Sequence, residues 1–448
     1  MAEMITATKW EEEFISTGLV WSLLTKRKKS LSRNWWFFRF PTKFNILDRI
    51  FLKAPIFTHH YFKYLLLMRP TALKLTAGIL LLCGLATNVH AQADKINVVT
   101  TAVPFLRISP DARSGGMGDL GLATTPDANS GFFNLAKIPF NTSKAGVGVT
   151  YTPWLKDLGL NDVYLASLAG YYKLDDNQAV NVGLRYFSLG SIQFTDALGN
   201  DLNTYNPKEF GVDVGYSRKL SPKSGVGVAL KYIHSNLAGN VPATGQTFKA
   251  GNSVAGDIGY YHDGRNDVGN GWSFGAALTN LGAKIAYTDN ADEKDFIPAN
   301  LGVGATYSKA FDDQNKIMFG LDLNKLLVPT PPAEGDAAAL QAYRQKSVVG
   351  SWFSSFGDAP GGLSEEVKEF QASLGAEYTY NNQFSLRAGY FFEDKTKGNR
   401  KYFTMGVGLK YNIFGLNFSY LLPSGSGNTR NPLSNTLRFS LVFDLDNK

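Results

Sequence analysis

The sequence predicts an all-β fold, a transmembrane antiparallel β-barrel of about 14 strands, on three observations. Apolar residues recur with period two against glycine, small polar or charged residues. The alternating segments are mostly ten to thirteen residues long, the length a tilted strand needs to cross a bilayer and longer than the usual globular strand. The connections between them also sort by parity, short turns alternating with long loops, as in outer-membrane barrels with periplasmic turns and extracellular loops.

The segments run 145–153, 162–173, 178–188, 208–219, 224–236, 251–262, 271–281, 298–309, 315–326, 367–380, 383–393, 401–411, 412–421 and 435–445. In the third, Val180, Val182, Leu184 and Tyr186 alternate with Asn181, Gly183, Arg185 and Phe187; in the last, Leu437, Phe439, Leu441 and Phe443 alternate with Arg438 and Ser440. Each strand therefore has one apolar and one wet face, the first turned to lipid and the second to the lumen. On that register an arginine at Leu441 costs about 2–4 kcal/mol, and at lumen-facing Ser440 far less. Tight turns are expected near Asp175–Asn177, Ser221–Lys223, Asp312–Gln314, Asn381–Asn382 and Tyr411–Asn412, with long connections at 189–207, 237–250, 282–297, 327–366 and 422–434. Asp263–Asn270 fits least well, being of middling length where a tight turn belongs. A soluble two-sheet sandwich would also alternate, but with shorter strands and no sorting of loops by parity.

Ahead of the barrel, Met68–Ala91 has the form of a secretory signal peptide: Arg69 and Lys74, an apolar run from Leu75 to Leu85, then Val89-His-Ala91 as the cleavage pattern. Cleavage there leaves Gln92 first. A lipoprotein signal at Cys83 is the alternative, against which Leu82 stands where a small residue is needed. Residues 1–67 read as a start-site artefact or a disordered extension, 68–91 as the signal, 92–144 as an N-terminal periplasmic or plug segment, and 145–448 as the barrel.

The 448-residue chain carries 45 Lys and Arg against 38 Asp and Glu, but about 13 and about 5 of these precede residue 92. The remainder is close to neutral, so composition offers no support for a nucleic-acid partner. The single cysteine, Cys83, lies in the signal, which leaves no disulfide framework and no thiol nucleophile after cleavage.

Gly116-Met-Gly-Asp-Leu-Gly121 spells the dinucleotide fingerprint G-x-G-x-x-G. A proline-led turn, Ser109–Arg113, stands where the preceding strand belongs, and no acidic residue occurs between Asp127 and Asp157 to hold a ribose. The stretch reads instead as a glycine-rich connector, and no cofactor is expected. Of five histidines, His59, His60 and His90 precede the cleavage point, and His234 and His262 lack a surrounding serine and carboxylate pattern. No catalytic motif is present, so no catalytic residue is assigned and an enzyme is not expected. The acidic residues Asp289, Asp292, Glu293 and Asp295 lack the spacing of a calcium loop, and no metal site is assigned.

"PFLRISPDARSGGMGDLGLATTPDANSGFFNLAKIPF" (Pro104–Phe140), "ALTNLGAKIAYTD" (Ala277–Asp289) and "FIPANLGVGATYS" (Phe296–Ser308) closely resemble the PorV (LptO) family. That family comprises outer-membrane barrels of the Bacteroidetes type IX secretion system, related to the FadL-type long-chain fatty-acid transporters, and the likeness covers Gln92–Lys448. The resemblance implies a 14-stranded FadL-like barrel that acts as a shuttle. It would bind the C-terminal signal domain of secreted cargo at the SprA/Sov translocon and deliver it to the PorU/PorZ/PorQ attachment complex, where lipopolysaccharide is added; peptidase activity belongs to a partner. The alternative is a FadL-like channel for hydrophobic solutes; Asn134-Leu-Ala136 stands where those relatives keep Asn-Pro-Ala.

Partner contact is expected on the long 327–367 loop, whose helix-compatible stretch Pro331–Lys346 includes Tyr343 and is followed by Trp352, Phe353 and Phe356. Such rings anchor protein interfaces, although long barrel loops also fold inward and bury them. Trp154 and Leu155 in the first loop are the next candidates.

Overall fold

The computed structural model describes residues 96–445, apart from 157–158, 196–200, 238–241, 244–245, 291–292, 333–335, 423–432 and 434. The signal segment and the residues before it lie outside the described residues.

Fourteen antiparallel strands close into a barrel. They are β1 Ala145–Pro153, β2 Val163–Lys173, β3 Gln178–Leu189, β4 Lys208–Lys219, β5 Ser224–Asn236, β6 Gly251–Asp263 and β7 Gly271–Gly282, followed by β8 Asn300–Ala310, β9 Asn315–Leu326, β10 Gln371–Tyr380, β11 Phe384–Phe392, β12 Lys401–Tyr411, β13 Phe414–Leu421 and β14 Leu437–Leu445. β14 pairs with β1 in the register Ala145 to Leu445, which removes any free sheet edge. Bounds agree with the periodicity to within a few residues.

The short turns carry the chemistry that sharp reversals need. Asn381, Asn382 and Asn412 take φ of 52°, 53° and 53°, the left-handed region that asparagine tolerates. The 264–270 connection, too long for a tight turn, folds on itself through the Asn266 N–H to the Asn270 carbonyl at 2.9 Å and sits at the same end as the others.

On most strands the apolar face is outward, while β2 also turns Val163, Leu165 and Tyr171 inward. Val182, Phe403, Met405, Phe439 and Leu441 are exposed, whereas Asn181, Arg185, Arg438 and Ser440 are buried. Aromatic rings gather at both ends of the wall. Tyr151, Tyr164 and Tyr186 pack side by side near the long loops, and Trp272 and Tyr307 near the short turns, where amphipathic rings meet the two membrane interfaces.

The lumen is filled by residues 104–144. This segment makes short 3-10 turns and one helical turn, α1 Ala112–Gly115, whose N-terminal amide at Ser114 is capped by Asp111 at 2.9 Å. Its side chains fill the space left by inward-facing wall glycines, so the wall's glycine-rich face is a docking surface rather than a water-facing one. Gly118, at φ +69°, lies against Tyr390 so closely that a Cβ would stand 2.8 Å from that residue's backbone. The wall glycine opposite, Gly389, meets the Met117–Gly118 backbone even more tightly. The fingerprint glycines thus permit a plug to touch a wall, with a helical turn ahead of them and no strand.

One expectation is corrected here. Ser440 does face inward, but it has no room: its hydroxyl accepts from the Ala112 N–H at 2.8 Å and bonds Thr150 at 2.6 Å. An arginine there would displace the plug rather than reach lumen water.

Candidate functional site

Two surfaces are available for function: the lumen on either side of the plug, and the face built by the long loops.

The plug is held by buried charges. Arg113 in α1 gives Glu377 of β10 two bonds, at 3.0 and 2.8 Å, and reaches Asp127 at 2.9 Å. Glu377 also accepts from Arg387 of β11 at 2.6 Å. Asp322 of β9 accepts from the Gly121 and Leu122 amides at 2.7 and 2.8 Å, holding the far end of the glycine stretch. Asn134 caps the following 3-10 turn through Ala136 and donates to the Leu122 and Tyr260 carbonyls, so it ties plug to plug and plug to wall. Among the described residues, one cavity of about 450 Å³ lies at the short-turn end and another of about 150 Å³ at the long-loop end, with no lining residue in common.

At the long-loop end, the described residues between 327 and 370 form a folded cover. Helix α2 Ala337–Gln345 starts at Asp336, which caps the Ala339 amide, and its Tyr343 packs edge-on against Phe296 with ring centroids 5.3 Å apart. Val99, Leu326 and Val328 complete that cluster, so the described N-terminal stretch of the chain lies among the long loops. Arg344 pairs with Asp295 at 3.1 Å, and burial still raises the Asp295 carboxyl above its ordinary value. Helix α3 Val348–Ser354, capped by Ser347, and helix α4 Leu363–Glu366 follow.

The cover reaches the outer side of the wall at Lys325. This residue keeps the parity of Leu321 and Leu323, which face lipid, yet it is 1% exposed. Glu366 and Glu369 pair with it at 3.1 and 2.6 Å, and the Phe356 and Phe370 rings flank its ammonium. Lys397, between β11 and β12, bonds Glu365 and Glu369 at 2.7 and 2.9 Å. Burial pushes the Glu365 carboxyl up, and Lys397, the Gly361 amide and Asn97 together outweigh that, holding it below its ordinary value. Outside this salt-bridged seam stand Val349, Phe353, Phe356, Leu363 and Val367, all exposed, with Phe353 at 75%.

The sequence-predicted contact residues therefore divide. Phe353 and Phe356 are on the surface, and Trp352 is half-buried beside them. Tyr343 is buried under α2, and Trp154 and Leu155 are buried with Phe105, Leu106 and Phe187 where the first loop closes over the plug. Val349, Leu363 and Val367 join the exposed group without having been singled out. The signal for the seam was a lysine, Lys325, on the lipid phase of an apolar strand face.

Asp289 pairs with Lys249 and Thr288 bonds Glu293, while Asp292 lies outside the described residues. Among the described residues, no group of three or more His, Cys, Asp and Glu is arranged to hold a metal.

Residues 90–333 match the family model for the type IX secretion system protein PorV, which is more than half of the chain. The chain belongs to the PorV family. It is accordingly an outer-membrane component of type IX secretion. The match ends inside the long loop, and the barrel ladder continues unbroken beyond it to β14. No curated protein sequence matches the chain. Among solved structures, the Ralstonia pickettii toluene transporter TbuX is similar at 14% identity and a TM-score of 0.46, over 75% of this chain and 98% of that one. The P. putida toluene transporter TodX is similar at 12% identity and a TM-score of 0.43, over 75% and 99%. A Pseudomonas aeruginosa FadL homologue is similar at 12% identity and a TM-score of 0.40, over 78% and 99%.

Proposed function

We propose that this PorV-family barrel is a cargo shuttle: it binds the C-terminal signal domain of secreted proteins at the translocon and hands them to the cell-surface attachment complex. The observation that carries the reading is the contrast between a lumen occupied by the plug and exposed apolar side chains on a salt-bridged loop. The plug is bonded to the wall through Arg113, Glu377 and Asp322, whereas Val349, Phe353, Phe356, Leu363 and Val367 stand uncovered on a cover stiffened by the Lys325 and Lys397 ion pairs. Exposed apolar groups carried by one loop segment mark a protein-contact surface, and aromatic rings dominate binding energy at such surfaces. Phe353 and Phe356 are the anchors in this reading, with Trp352 supporting them.

A Trp352, Phe353 and Phe356 triple-alanine variant tests it. Barrel assembly and heat-modifiability should persist, while cargo co-purification and surface attachment are lost. Normal cargo delivery by the folded variant would move recognition to other loops. Co-purification of lipid in place of cargo protein from the unaltered chain would favour the hydrophobic-solute channel.

A further inference from the structure

Ahead of the plug the chain carries a strand-like run that the barrel does not use. Ile96-Asn-Val-Val-Thr-Thr101 is β-branched at every position except Asn97, the composition that favours extended pairing. Its burial alternates with period two, Val99 and Thr101 being buried while Val98 and Thr100 are half-buried. Yet it belongs to no sheet: the barrel closes through β1 and β14, and the two-stranded ladders of the described loops join other residues. The run stops at Val103, whose φ of 51° lies in the left-handed region, just before Pro104.

Two backbone bonds pin the run to the long-loop face. The Asn97 N–H donates to the Thr396 carbonyl at 3.0 Å, and the Ala102 N–H to the Phe296 carbonyl at 2.9 Å. Val99 packs in the cluster of Phe296, Leu326, Val328 and Tyr343, and the Asn97 side-chain amide reaches Glu365 at 3.4 Å. Between the two pins, the N–H groups of Val98, Val99, Thr100 and Thr101 make no hydrogen bond to a described residue. Main-chain donors need partners, from water or from another chain. A run already held in place, with open donors between its pins, can be extended by an incoming strand: main-chain bonds supply the affinity, and the existing order lowers the cost of joining. Apolar side chains stand around the Asn97–Glu365 contact, namely Ile96, which is 73% exposed, and Leu363 and Val367 on either side of Glu365.

We propose that Ile96–Thr101 is an edge for β-augmentation, at which a strand of a protein partner pairs with Val98–Thr101 through main-chain hydrogen bonds and packs its side chains on Ile96, Leu363 and Val367. The proposal rests on the shuttle reading for the identity of that partner, the cargo protein. It adds a backbone grip made by residues other than Phe353 and Phe356.

Proline at Val98 or Thr100 removes one open donor, whereas alanine at the same position trims the side chain and keeps the N–H. In the full chain extracted from its own membrane, Val98→Pro and Thr100→Pro should each lower cargo recovery about tenfold, and Val98→Ala and Thr100→Ala should leave it within about twofold. Heat-modifiability and protease resistance of residues 104–144 report that the variants have assembled. Equal recovery by assembled proline and alanine variants would overturn the proposal. If the proline variants fail to assemble, a photo-crosslinking amino acid at position 96 decides the matter. Crosslinks should then fall on a strand of the cargo's signal domain; crosslinks confined to a second copy of the chain, or to its own residues before 96, would refute the edge. Loss of cargo in the Trp352, Phe353 and Phe356 triple-alanine variant but not in the proline variants leaves the shuttle reading standing without this edge. An unaltered chain that recovers no cargo removes both.

Discussion

The two faces of one strand obey different rules. On β14, Phe439 and Leu441 point to lipid while Arg438 and Ser440 point inward at 2% and 1% exposure. The outer face needs only to be apolar, because lipid makes no directional demand. The inner face needs particular residues at particular rungs, because each meets a particular part of the plug: Ser440 meets the Ala112 amide, Glu377 meets Arg113, and Gly389 meets Gly118. Generic chemistry outside and individual fit inside is the lesson, and substitutions on the two faces should differ in kind.

The largest effect is expected inside. Glu377→Ala leaves Arg113 and Arg387 buried without their shared carboxylate, and should cost about 3–5 kcal/mol in reversible unfolding from detergent. Proteolysis should at the same time open the plug. A cost under about 1 kcal/mol, the ceiling for exposed pairs, would mean that the network is solvated.

Next come two neighbours on β14. Leu441→Arg should cost about 2–4 kcal/mol by placing a charge in lipid. Ser440→Arg should cost at least as much by a different route, overpacking against α1, and should alone increase protease access to residues 104–144. A benign Ser440→Arg would show that the plug is not seated on β14.

Gly118→Ala combines an unfavourable φ with the Tyr390 backbone contact, and about 1–3 kcal/mol is expected. Alanine at an outward position such as Val182 should leave plug protection unchanged. The smallest effect concerns the loop cover. Because Glu365 titrates below its ordinary value of 4.5, the stability it lends through Lys397 is fully present above that value and is lost as pH falls below it. Protease sensitivity of the 327–370 segment should therefore rise on acidification below pH 4.5, and Glu365→Gln should flatten that dependence. An unaltered profile in the variant would assign the acid response to other carboxylates.

The wall was legible because its physics is local. A strand repeats every two residues, so Phe403, Met405 and Val407 announce one face without knowledge of any neighbour, and Asn381-Asn382 announces a reversal by its own tolerance of positive φ. The outward loop surface was half legible. Phe353 and Phe356 could be named as large rings on a long connection, but Tyr343, Trp154 and Leu155 looked equivalent to them, since ring size says nothing about which side of a loop is covered.

Sequence alone determined the strand count, the inward and outward phases, the parity of the connections and the family, each of which depends on residues close together along the chain. Tertiary structure alone decided that the inward glycines receive a plug, that Lys325 on the lipid phase is paired with Glu366 and Glu369, and that Arg185 and Arg438 share a cavity with Arg107. Those facts join residues 40 to 330 positions apart, and no periodicity records which distant charge or side chain will arrive opposite a given rung once the barrel closes.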